Sequence, residues 1–204
     1  MSKHAILIFA ALVAAMGLLA ARARADNDQT VVIGLGGGGY HMNGDDVHGS
    51  RDMLAYHLYG EWYALGELGF GYRRTVMVDV GGVATCTVGI CESVTVTTDM
   101  LTVNWVPLGS KSYARLGLVG GYGIAQYQFQ GTVAILKGPT EKVSTSGTAS
   151  LAGIYFDWGG EAFGARLGYD ALFTQLKDAT SASGVRLKTD GSGYLTYLDL
   201  RWAF

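Results

Sequence analysis

The sequence predicts an all-β fold, an eight-stranded antiparallel up-and-down transmembrane β-barrel with short turns at one rim and long loops at the other. Several stretches alternate between apolar and polar residues with a period of two, which is the period of a strand. Trp62, Trp105, Trp158 and Trp202 fall 43, 53 and 44 residues apart, each at the end of such a stretch. One hairpin of about ten residues per strand, with one short and one long connection, accounts for that spacing.

The alternating stretches, taken in order, predict eight strands. They cover about residues 30–40, 53–63, 67–80, 93–106, 113–128, 148–158, 161–176 and 194–204. In the fourth strand the apolar set changes parity at Val94 and Val96, which predicts a β-bulge near residues 97–99. The segments 41–52, 81–92, 131–147 and 177–192 are rich in Gly, Ser, Thr, Asp and Lys and are predicted to be the long loops.

The last strand is apolar on one face and carries an acid, a base and a phenol on the other. Its apolar face holds Tyr194, Leu198, Leu200, Trp202 and Phe204. This pattern resembles the C-terminal signal that bacterial outer-membrane β-barrel proteins present to their assembly machinery. The chain is therefore similar to the small eight-stranded outer-membrane barrels, the group that includes the OmpA transmembrane domain and OmpX.

The resemblance implies a bacterial outer-membrane location, with the surrounding lipid, lipopolysaccharide and the barrel-assembly machinery as partners. The four tryptophans are then expected at one rim as a periplasmic aromatic girdle, because indoles prefer the headgroup level. Arg74 has outward parity, so we expect it either to contact a lipopolysaccharide phosphate or to extend its side chain to the headgroups.

Residues 1–25 have the three parts of a secretory signal peptide: a basic start, an apolar run and an Ala-x-Ala site at Ala23 to Ala25. Residues 26–204 then form one barrel domain of 179 residues with 12 basic and 17 acidic side chains. That acidic balance argues against nucleic acid as a partner.

Cys86 and Cys91 stand five residues apart in a predicted outer loop. Because an exported protein meets oxidising conditions, we expect a disulfide that pins this loop. A zinc site is the alternative, but the sequence around the two cysteines lacks further ligands.

Charged residues recur on the face of the strands that points into the barrel. This set consists of Glu61, Glu67, Arg73, Arg115, Asp157, Arg166, Asp170, Asp199 and Arg201. Eight strands leave a bore that side chains fill, and buried charges must pair. We expect Arg115 to lie between Glu61 and Glu67, and Arg166 to pair with Asp199. If such pairs rearranged, a narrow conductance would be possible.

Two sequence patterns resemble ligand-binding sites but lack the surrounding structure that such sites require. The glycines from Gly34 to Gly39 match a dinucleotide fingerprint, yet a turn-rich loop follows where a helix is required. We expect these glycines to make room for large lumen residues such as Tyr59 or Arg73, or to allow a sharp bend. A polar group in the first outer loop, which includes His41 and His48, could bind a divalent ion, but its spacing matches no ligand set.

The sequence favours a non-enzymatic outer-membrane protein, structural or adhesin-like, whose loops meet a host or cell-surface ligand. We predict no catalytic residue, cofactor or metal. The alternative is a narrow conduit for small hydrophobic or polar solutes, as in OmpW-like barrels. A lipid A-modifying enzyme is the third interpretation, although His41, His48 and His57 match no motif of those enzymes.

Overall fold

The chain folds into one closed antiparallel barrel of eight strands, which confirms the predicted fold class. The computed structural model describes residues 30–64, 67–79, 93–108, 114–133, 135–136, 140–160 and 162–204. The predicted signal peptide and the Cys86 to Cys91 loop lie outside these residues. The barrel strands are β1 (Thr30–Met42), β2 (Arg51–Tyr63), β3 (Leu68–Asp79), β4 (Ser93–Leu108), β5 (Ala114–Thr132), β6 (Thr140–Gly159), β7 (Phe163–Leu176) and β10 (Gly193–Ala203).

The barrel closes between its first and last strands. Val32 lies opposite Ala203 in the β1–β10 ladder, and Val31 and Phe204 exchange backbone hydrogen bonds of 3.1 and 2.9 Å. A strand that crosses a bilayer needs such closure, because hydrocarbon offers no partner to a free N–H or C=O group. We call the end with the β2–β3, β4–β5 and β6–β7 turns the lower rim and the opposite end the upper rim. Among the described residues, none forms a helix long and apolar enough to cross a membrane.

Along most of each strand, side chains alternate between the lumen and the outer surface. On β4 every second residue from Val94 to Val106 is buried, whereas Leu101 on the outer face is 72% exposed. On β5 the outward Tyr122 is 64% exposed. Apolar side chains therefore form a band around the outside of the barrel, which suits contact with lipid.

The predicted bulge in β4 is wrong. The β3–β4 ladder continues without a shift through Thr97 and Asp99, and the one register shift of the β4–β5 ladder lies lower, between Trp105 and Leu108. Val94 and Val96 point into the lumen like the rest of their parity. The upper lumen is apolar, so an apolar residue in that part of the strand does not indicate an outward position.

β5 and β6 are longer than predicted and rise above the upper rim as a ribbon. Their ladder extends to the pair Thr132 and Thr140, so most of the predicted loop at residues 131–147 is strand. The upper part of β6 was not predicted as a strand because its outward residues, Lys142, Ser144 and Ser146, are polar. The last long connection also holds structure, since β8 (Ala179–Thr180) pairs with β9 (Arg186–Leu187).

Tyrosines in the lumen lie across glycines of the neighbouring strand. A Cβ built on Gly34 would stand 2.1 Å from Cζ of Tyr59, and one on Gly168 would stand 2.1 Å from Cζ of Tyr197. The space above each glycine is therefore filled by a phenol ring. Of the two side chains predicted to use this room in β1, Tyr59 is the one in contact with Gly34.

Candidate functional site: the ionic lumen and its outer cover

Five charged side chains meet in the lower lumen, and we call them the lower cluster: Glu61, Arg115, Asp157, Arg166 and Arg201. Asp157, which has no exposed surface, accepts hydrogen bonds from Nε of Arg166 at 2.7 Å and from Arg115 at 2.9 Å. Arg166 also donates two bonds to Glu61, at 2.6 and 2.9 Å. Arg201 lies 3.6 Å from Asp157. Two carboxylates thus hold three guanidinium groups.

Tyrosine rings enclose the guanidinium of Arg166. Its Cζ lies 3.8 Å from the ring centre of Tyr155 and 4.7 Å from that of Tyr59, which are cation–π distances. Tyr63 donates a hydrogen bond of 3.0 Å to Glu61 and lies 3.0 Å from the hydroxyl of Tyr155. Tyrosine rings and hydroxyl groups therefore pack against the cluster on several sides.

Two further pairs of polar side chains lie above the lower cluster, one of them the ion pair of Arg73 with Asp170, and we call them the middle pairs. Nε2 of His57 stands 2.7 Å from Asp199, and Arg73 stands 2.7 Å from Asp170. All four side chains are buried. Among these nine side chains four arginines face four carboxylates, so their charges balance when the His57 ring is neutral.

Three details differ from the predicted pairings. Arg166, not Arg115, meets Glu61, while Arg115 reaches Asp157. Glu67 is exposed in the turn just before β3 begins, so it lies outside the lumen network. Arg166 and Asp199 are cross-strand neighbours, but the side chain of Asp199 binds His57 instead.

The upper lumen is an apolar core, built from inward residues of all eight strands. Met77, Val96, Met100, Tyr127 and Phe129 are its largest contributors from β3 to β5, each at most 1% exposed. The polarity of the interior therefore changes along the barrel axis: it is charged below and mainly apolar above, where the ion pair of Arg51 with Asp79 lies near the upper rim.

Two outer segments, residues 43–50 and 188–192, close the upper rim, and we call them the cover. Asp45 accepts backbone hydrogen bonds from Val47 at 2.8 Å and from Asp190 at 2.8 Å. Asp46 and Lys188 exchange two further bonds, of 3.0 and 3.3 Å. Val47 has no exposed surface, so the first loop inserts into the apolar core rather than extending into solvent.

His48 belongs to the cover, and its ring stacks on Tyr127 with centroids 5.8 Å apart. Burial lowers the pKa of His48, an effect that the nearby Asp45 opposes and Arg51 reinforces. His41 instead lies on the outer face with Asp52 at 2.8 Å. The described residues bring no three His, Cys, Asp or Glu side chains into a metal-binding group.

The outward residues that were predicted to contact the membrane lie at two heights along the barrel axis. The four tryptophans all point outward near the lower rim, and so do Leu198, Leu200 and Phe204 of the last strand. Arg74 lies much higher on the outer face, 3.5 Å from Asp99, which also accepts a hydrogen bond from Tyr72. The sequence missed Asp99 as a partner because its strand position was assigned to the predicted bulge.

Comparison with solved structures supports the architecture. The chain is similar to Neisserial surface protein A (12% identity, 86% of this chain and 97% of that chain covered, TM-score 0.54). It is also similar to the attachment invasion locus protein Ail of Yersinia pestis (14% identity, 86% of this chain and 99% of that chain covered, TM-score 0.55). A third similar structure is a major outer membrane protein of Thermus thermophilus (12% identity, 87% of this chain and 100% of that chain covered, TM-score 0.54).

No protein-family model and no curated protein matches the sequence. The structural likeness therefore concerns the fold, and it agrees with the closed eight-stranded ladder and the outward apolar band described above. On this evidence, the chain has the fold of the small eight-stranded bacterial outer-membrane β-barrels.

Proposed function

We propose that this chain is a non-enzymatic outer-membrane protein that anchors a rigid, adhesin-like platform at the cell surface. The observation that carries the proposal is the occupied lumen, in which Arg166 binds both Glu61 and Asp157 and is 3% exposed. A lumen filled at that level, with a cover at the upper rim, leaves the outer segments as the working surface.

The histidines support a non-enzymatic role. His41 binds Asp52 on the outer face, His48 is stacked inside the cover, and His57 binds Asp199 in the middle of the lumen. Each occupies a separate site, so they do not converge on one substrate. Replacing all three with glutamine in cells that express the protein should leave the lipid A profile unchanged, whereas an altered profile would favour an enzyme.

Two further expectations belong to this proposal. The barrel is inserted by the assembly machinery, which reads the last strand and its aromatic end at Phe204. The outer segments bind a host or cell-surface ligand, for which a sulfated sugar is the first probe, because one structure of the similar Ail protein contains a heparin analogue. Exposed cations at the upper end, including Lys142, Lys177 and Lys188, would supply the charge for such a ligand.

Planar-bilayer recording tests the occupied lumen. We expect no steady current from the purified barrel, and a steady current carried by small ions would favour the conduit instead. Binding of whole cells to immobilised heparin and to host-cell monolayers tests the platform. Loss of binding when the exposed segment 182–186 is replaced by glycine and serine is the expected result, and unchanged binding would count against an adhesive role.

A further inference from the structure

Above the apolar band, the outer face of β4, β5 and β6 continues as a flat polar surface, which we call the polar wall. Two successive cross-strand rows of this surface have the same composition: Thr97, Gln126 and Ser146, then Thr95, Gln128 and Ser144. Within each row a glutamine lies between a threonine and a serine. The repeat shows that the wall is regular strand structure and not a loop with polar residues in arbitrary positions.

The wall is rigid because its inner side is packed. Tyr127, Phe129 and Val143 alternate with the wall residues on β5 and β6, and each is at most 2% exposed. Among the residues that the structure describes, the glutamines of the wall make no hydrogen bond to another side chain. Their amide groups are exposed on the outer face and can bind a ligand. Because the backbone of the wall is already ordered, a ligand would have to order only the side chains and not a loop.

The position of the wall relative to the apolar band indicates which layer of the membrane faces it. The row directly below contains Asp99 and Ile124, and Ile124 is the last apolar outward residue of β5. Arg74 pairs with Asp99 at the same level. The wall therefore begins where the lipid-facing band ends, on the same strands. In an outer membrane, the layer just above the outer hydrocarbon is the sugar of lipopolysaccharide.

The chemistry of the wall fits sugars better than other partners. An amide offers two donors and one acceptor, and a hydroxyl offers both, which matches the mixed donors and acceptors of a saccharide. The two rows carry no charge, and the next row contributes one cation, Lys142, beside Gln130. Protein interfaces are enriched in aromatic residues and arginine, which the wall lacks above Tyr122, and nucleic acid requires a basic surface.

We infer that the polar wall binds the core sugars of neighbouring lipopolysaccharide molecules through the amides of Gln126 and Gln128 and the flanking hydroxyls. This inference rests on the outer-membrane location in the proposed function. It adds a second, sideways-facing contact surface to the outer segments, and it gives β5 and β6 a reason to extend so far above the apolar band. The sugars would hold the protein in a fixed orientation within the leaflet.

The test compares two ligands of the folded mature barrel in detergent micelles: lipopolysaccharide that retains its core sugars, and lipid A from which they have been removed. Affinity is measured by thermophoresis, and heat-dependent gel mobility verifies that each variant is folded. We expect wild type to prefer the sugar-bearing ligand about tenfold, which corresponds to about 1.4 kcal/mol and to a few hydrogen bonds.

Two independent variants should remove most of this preference: Q126A/Q128A and S144A/S146A. Gln175 is the matched control, because it is an exposed outward glutamine on β7, outside the two rows. Q175A should retain the preference. Equal binding of both ligands by wild type, or an undiminished preference in Q126A/Q128A, would overturn the inference.

A third ligand separates the possible sources of the sugar. Core oligosaccharide released from its lipid should compete only at much higher concentration, because it no longer shares a micelle with the barrel. If free glycans bound as tightly as lipopolysaccharide, the wall would be a receptor for external sugar, and the inference would be wrong. Failure of the barrel to enter lipid vesicles would instead refute the outer-membrane location itself.

Discussion

Replacing Asp157 with asparagine removes one negative charge from the centre of the lower cluster while keeping the size of the side chain. Asp157 is fully buried and faces three guanidinium groups. The amide oxygen of asparagine can still accept the bond from Nε of Arg166. The amide nitrogen, however, would point at the donors of Arg115 and Arg166 that now bind Oδ2 at 2.9 and 3.2 Å.

The expected loss of stability is about 3–5 kcal/mol, the range for breaking a buried ion pair on one side. The bond count leads to a similar figure, because two charge-assisted hydrogen bonds are lost at about 1.5–3 kcal/mol each. The remaining carboxylate, Glu61, is already bound to Arg166 and cannot neutralise Arg115 as well. The lower cluster would then hold three cations against one anion.

The assay is reversible urea unfolding of the barrel in phospholipid vesicles, followed by tryptophan fluorescence. D178N is the control, because Asp178 forms an ion pair of similar length, 2.6 Å, with Arg186, whose side chain is 81% exposed. That surface pair should contribute less than about 1 kcal/mol. If the free energy of unfolding of D157N lies within about 1 kcal/mol of that of wild type, the lower cluster does not stabilise the barrel as a buried ion network.

Three further predictions concern other parts of the barrel. Gly117→Ala should destabilise it by about 1–3 kcal/mol in the same unfolding assay, because the added Cβ would stand 2.2 Å from the ring of Tyr155, whereas Gly39→Ala meets nothing within 4 Å and should be nearly neutral. Because burial lowers the pKa of His48 from 6.5, the unfolded loop gains a proton that the folded loop excludes. The protection factors of the amides in residues 43–50, which are corrected for the intrinsic exchange rate at each pH, should therefore fall below about pH 6.5, and His48→Phe should abolish this dependence. Arg74→Ala should reduce the stabilisation that lipopolysaccharide confers by less than about 1 kcal/mol, and an unchanged value would leave Arg74 as a side chain extended to the headgroups and bound to Asp99.

The sequence predicted which residues face the lumen better than it predicted their partners. Alternation places Arg166 and Asp199 inward on adjacent strands, and the structure does make them cross-strand neighbours. Arg166 nevertheless reaches Glu61, which lies 105 residues away in the sequence on β2, a strand that does not adjoin β7 in the sheet. Long side chains in a narrow bore meet across its interior, and strand register alone does not contain that information.

The sequence also could not reveal where the interior changes character. A rule that assigns apolar residues to the outside holds for Leu101 and fails for Val94 and Val96, which belong to the upper apolar core. The same change concealed the upper part of β6, where the outward Ser144 and Ser146 resemble a loop. The missing information is the height of each residue relative to the membrane, which depends on tertiary structure and not on local pattern.

The height of a residue relative to the membrane can be tested on β5, because the outward face of this strand changes from apolar to polar along its length. Below Ile124 the outward residues are apolar; above it the outward residues are polar and the inward Tyr127 and Phe129 are apolar, as in a water-soluble protein. One strand thus passes from a lipid-facing to a water-facing environment near Ile124. The outward Leu167 of β7 lies within the apolar band, while Gln128 lies above it.

An arginine at each position should therefore have a different cost. Leu167→Arg places a cation against hydrocarbon and should destabilise the barrel by about 2–4 kcal/mol in vesicles, whereas Gln128→Arg should cost about 0–1 kcal/mol. The difference should shrink in a detergent micelle, because water reaches the flexible micelle more easily than the bilayer core. Equal costs in vesicles would mean that the boundary does not lie at Ile124, and the polar wall would then lose its place above the hydrocarbon.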